Sequence, residues 1–199
     1  MSMRSLFALP LVCLCGFTAF AAAPITPRQY LDEETTATIT VVAEPIAFVA
    51  IKPADPARWS RDRELQKKKD KNQDIVELYG LDVNRMGSHR QYIAVTKWLV
   101  PKQSVDAQPI LVLKMGATSL ELKEPERDAR KLGMAQPLAP AFASTSQWWY
   151  FPADVATLKS IAAAPELSAT LTLGDIQTPY KLARDGRPQL TALTAVLPQ

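Results

Sequence analysis

The chain has 199 residues, of which 47% are apolar and 22% charged, with a formal net charge of +3 at pH 7. The apolar share is that of a folded protein, and so weak a charge imbalance gives no reason to expect a nucleic-acid partner. One histidine and two cysteines are too few for the usual zinc, copper or iron ligand sets, so no metal or other cofactor is expected.

The first residues read as a targeting segment. Arg4 supplies a positive end, the stretch from Leu6 to Ala23 carries no charge, and it tapers into Ala19-Phe20-Ala21-Ala22-Ala23. That order of charge, apolar core and small-residue exit describes a Sec signal peptide over 1–21, with cleavage after Ala21. Lipidation at Cys15 is the alternative, but Cys15 follows Leu14 rather than a small residue. Ordinary cleavage removes Cys13 and Cys15, so the exported chain has no thiol or disulfide, and its stability comes from a packed core. The expected location is the periplasm or cell envelope, with no transmembrane span in the mature chain.

Residues 22–34 read as a lead-in, and 35–199 as a single β-rich domain. TTATITVVA alternates at period two and predicts a strand. IAFVAIK, apolar on both faces, predicts a central strand. Residues 53–73 turn polar and charge-dense, as a solvated helix or a loop. DIVELYGLDVN and RQYIAVTKWLV predict a hairpin turning over Arg85 to His89, and ILVLKM and SLELK a second one around Gly116. There Leu120 and Leu122 point inward, Glu121 and Lys123 outward. Residues 124–146 look irregular, with room for a short helix. WWYFP is an aromatic strand, and Val155, Leu158, Ile161 and Ala162 fall at helical spacing behind Asp154. LSATLTL alternates strictly. Pro179 marks IQTPYKL as an edge strand, and QLTALTAVL suits helix and strand equally. About eight strands with short connections imply a mainly β fold, an antiparallel sandwich or partly open barrel with one short covering helix.

Candidate chemistry is sparse. His89, the sole histidine, lies in the expected turn, so any Ser-His-Asp mechanism would have to use it. Carboxylate catalysis needs only two acids at a set separation, and Glu77, Asp82, Glu121 and Glu124 are the candidates. No catalytic residue is assigned. Two features suit binding. The basic run holding Arg61, Arg63, Lys67, Lys68 and Lys69 could meet an anionic envelope polymer or lipid headgroups. Trp148 and Tyr150, sharing one face of their strand, either pack internally like Trp149 and Phe151 on the other face or form an exposed contact stripe for a sugar or peptide.

Two segments carry a family likeness, namely YLDEETTATITVVAEP from Tyr30 to Pro45 and DVNRMG from Asp82 to Gly87. With them the chain resembles uncharacterised exported proteins and lipoproteins of Gram-negative bacteria that join a YLDExTxATxTVVxxP segment to a DVNRxG hairpin. The resemblance implies export and brings no catalytic residue. The expected function is a non-enzymatic envelope or periplasmic domain that contacts another envelope protein or an anionic polymer. A carboxylate-dependent hydrolase acting on an envelope carbohydrate is the alternative.

Overall fold

A computed structural model describes residues 25–51, 74–97, 106–138 and 146–198. The expected signal segment 1–21 and the basic run at 58–71 lie outside these residues. Ten strands form one large antiparallel sheet that does not close. They are β1 (Arg28–Asp32), β2 (Ala37–Val41), β3 (Ile46–Ala50), β4 (Ile75–Arg85), β5 (Ser88–Lys97), β6 (Pro109–Met115), β7 (Thr118–Leu122), β8 (Gln147–Ala153), β9 (Leu167–Leu173) and β10 (Ile176–Arg184). Among the described residues, three short helices accompany them rather than the single one expected: α1 (Ala129–Leu132), α2 (Val155–Ala162) and α3 (Arg187–Val196).

The long strand β4 organises the sheet. One side pairs with β5 along its whole length, from Val76↔Lys97 to Arg85↔Ser88. The other side is shared. Its N-terminal half pairs with β3 (Ile46↔Leu78) and its C-terminal half with β2 (Val41↔Leu81). The chain switches from β2 to β3 where Val42 donates to the Gly80 carbonyl at 3.1 Å. Beyond β3 the order is β10, β9, β6, β7; beyond β5 lies β8; beyond β2 lies β1. A single bridge, Glu126 to Tyr150, ties the segment after β7 to β8.

Direct cross-strand partners share a face, so the registers define the core. Val95 faces Leu78 and Trp149, Ile46 faces Leu78, Leu182 faces Phe48, and Leu113 faces Ala169. Nearly all of these side chains are buried. The alternation of β9 is complete, with Leu167, Ala169, Leu171 and Leu173 inside. The helices close this face. A Cβ on Gly80 would lie 2.7 Å from Leu193 and closer still to Leu190, so the missing side chain is what lets α3 sit on the sheet. This resolves the ambiguous tail as a helix, packed in turn against α2. Asp154 caps α2 by accepting from the Thr157 amide at 2.6 Å.

Within the expected lead-in, residues 28–32 form strand β1. Two expectations are corrected. The β4–β5 turn is confined to Met86 and Gly87, both at positive φ (52° and 85°), so His89 belongs to β5. β10 is internal, between β3 and β9, despite Pro179. The Pro179 carbonyl accepts from Ile51 on the β3 side, just past the last β3 pair, so its nitrogen also faces that side and no β9 ladder donor is lost.

Candidate functional site

Polar side chains collect in three clusters, two on β4 and one beside its N-terminal end, and on β4 their placement follows from strand parity. Glu77 and Tyr79 project from one face and Asp82 from the other. Glu77 is buried, accepts from Arg184 Nη2 at 3.2 Å and from the Tyr79 hydroxyl at 3.1 Å. Burial, with the Glu77 charge beside it, pushes the Tyr79 phenol above its ordinary range.

Asp82 is also buried, and its carboxylate takes Gln91 Nε2 at 2.7 Å and His89 Nδ1 at 2.9 Å. A buried carboxylate on Nδ1 fixes the ring and leaves Nε2 turned away from it. Nearby rows of the same face carry Asn84, Thr38 and Thr40. Asn84 itself closes the hairpin, its Oδ1 accepting from the Gly87 amide at 2.9 Å. The Asp, Asn and Gly of the DVNRxG segment therefore have structural work in this chain.

The third cluster was not legible as a site in the sequence. Lys97 is buried and donates to Asp74 and, at 2.8 Å, to the Tyr180 hydroxyl, which in turn donates to Asp74 at 3.0 Å. Burial lowers the Lys97 pKa, opposed by Asp74, while burial and then the Asp74 charge raise that of Tyr180. The one available signal was a lysine inside the apolar run IAVTKW.

Of the expected contact residues, Arg61, Arg63, Lys67, Lys68 and Lys69 lie outside the described residues. Trp148 and Tyr150 do share a face, but they are inside, with 8% and 0% of their surface exposed. Their rings stack at 6.2 Å between centroids, and Tyr79 leans on Trp148 at 5.5 Å. This is core packing, and it corrects the reading of an exposed stripe. Glu121 is exposed beside Lys123 at 3.1 Å, and Glu124 is exposed after β7.

What does face outward is an arm made by β1 and the far end of the β4–β5 hairpin, carried on the buried strand β2. Tyr30 is 44% exposed, Leu31 61%, and Met86 at the hairpin tip fully so. The segment 126–135 braces this arm. Asp32 Oδ2 accepts the Ala135 amide at 2.6 Å, and Arg130 reaches Glu34 at 3.8 Å. The backbone N–H groups hold the Asp32 carboxyl below its ordinary 3.8, that of Ala135 first. No family model, curated protein or solved structure matches this chain. Among the described residues, no helix is long and apolar enough to cross a membrane.

Proposed function

We propose that this is an exported envelope or periplasmic protein whose β-rich domain is a non-enzymatic binding module, acting through surface contacts with another envelope protein or an anionic envelope polymer. The observation that carries the reading is the contrast between its carboxylates and its arm. Glu77 and Asp82 project from opposite faces of β4, each held by its own internal partners, so they do not form the facing pair that glycoside hydrolysis needs. The arm instead exposes Leu31, Met86 and about half of Tyr30 around a strand edge that no other described strand pairs. Export rests on the signal segment and on the resemblance to exported proteins and lipoproteins.

A pull-down from envelope extract tests this, comparing wild type with the variant carrying Leu31→Lys and Met86→Lys. The wild type is expected to retain a partner that the variant loses. Equal capture by both would move the contact off the arm and onto other surfaces, the basic run first. Cosedimentation with anionic vesicles at low and high salt then tests that run.

A further inference from the structure

We infer that β1 is a self-pairing edge, and that its occupant is β1 of a second copy of this chain, joined antiparallel about a two-fold axis at Tyr30. The inference rests on reading the arm as the contact surface, and names one partner for it. β1 ends the strand order and pairs only with β2, so one side of its backbone has no strand beside it among the described residues. Such an edge is a template for another strand, and sheets normally block it with lysine, proline or a covering segment. No lysine or proline lies within Arg28-Gln29-Tyr30-Leu31-Asp32, the segment 126–135 meets the strand at the Asp32 side chain, and all but that last residue are exposed.

The sequence of β1 is self-complementary. An antiparallel pair centred on Tyr30 sets Arg28 opposite Asp32 of the second copy, Gln29 opposite Leu31, and Tyr30 opposite Tyr30. Opposite charges meet at both ends, and two half-exposed rings meet at the centre, where cross-strand pairs stabilise a sheet. The charged groups have capacity left. Arg28 spends one donor on the Ala43 carbonyl. Asp32 accepts three backbone N–H groups, from Glu34, Thr35 and Ala135, which leaves about one of its four acceptor sites free and holds it in place. Centring on a residue also matches outward-facing backbone groups with outward-facing ones, whichever parity is free. Two other strands end the sheet among the described residues: β8, which the Glu126 to Tyr150 bridge already engages, and β7, which lacks this property. Pairing Thr118-Ser119-Leu120-Glu121-Leu122 with itself sets Glu121 against Ser119, with no cation opposite. Five residues bury little surface, so the dimer is weak and concentration-dependent.

Sedimentation across a concentration series tests the pairing. Wild type is expected to pass from monomer to dimer. Tyr30→Lys and Tyr30→Glu each place like charges face to face, and each is expected to stay monomeric while keeping the wild-type circular dichroism spectrum. An equimolar mixture of the two sets Lys against Glu and is expected to recover the dimer, an outcome that only the residue-30 register gives. A wild type that stays monomeric throughout, or a mixture that stays monomeric while wild type dimerises, would overturn the inference. Neither outcome touches the pull-down result, so failure of self-pairing and failure of the binding reading are separable.

Discussion

The two halves of β4 run through one strand and share one neighbour, β5, yet they meet different surroundings. The N-terminal half lies between β5 and β3, deep in the sheet, and its neighbourhood admits charge only as paired groups. Lys97 meets Asp74 and Tyr180, and Glu77 meets Arg184. The C-terminal half lies between β5 and β2, one strand from the open edge. Its carboxylate, Asp82, is held by Gln91 and by a histidine that still reaches solvent. The difference teaches where the protein spends order. One half is committed to a closed interior, and the other ends in an arm whose last strand has, among the described residues, no strand on one side.

The sharpest way to break the closed half is to open its core. Trp149→Ala removes a fully buried indole from β8, opposite Val95 of β5, and is expected to cost about 3–5 kcal/mol in denaturant unfolding. Lys97→Ala leaves the Tyr180 hydroxyl and Asp74 without their cation. Because Asp74 is about a third exposed, the expected loss is about 2–3 kcal/mol, below that for a fully buried pair. Gly80→Ala drives a methyl into Leu190 and Leu193 and is expected to cost about 1–3 kcal/mol, read from the same unfolding curves. On the arm, Leu31→Lys is expected to change stability by less than about 0.5 kcal/mol, because the side chain is already in solvent. Similar losses for Leu31→Lys and Gly80→Ala would erase the contrast between the halves.

Acid should reach the arm first. The Asp32 carboxyl titrates lower in the folded state than its ordinary 3.8, so its contribution is complete above that value and is lost as pH falls through the depressed one. Below about pH 4, protection of the Ala135 amide against hydrogen exchange is expected to fall before that of β9.

The same contrast explains what could be read from the sequence. β4–β5, β6–β7 and β9 were legible because their alternation and turn residues agree, and α2 because its spacing and cap agree. β1 was hidden by flanking prolines and by a lack of inward apolar residues, which is itself the mark of an exposed edge. The tail was ambiguous because Leu190, Leu193 and Leu197 suit both periods. Only the bare Gly80 surface beneath it selects a helix. The aromatic run allowed either an exposed stripe or packing on both sides, and the burial of both faces of β8 selects the second. Asp82 and His89 are seven residues apart and meet across a tight hairpin, whereas the expected turn was drawn wide enough to swallow His89. Lys97 and Tyr180 stand 83 residues apart and are joined only by the topology.

The most direct measurement is hydrogen exchange on wild type, dilute and concentrated, with peptides covering β1 and β9. The account predicts that β9 is protected equally in both, while amides of Arg28–Asp32 exchange quickly when dilute and gain protection on concentration. Strong β1 protection at every concentration, or protection gained only elsewhere, would contradict an open edge that a second strand completes.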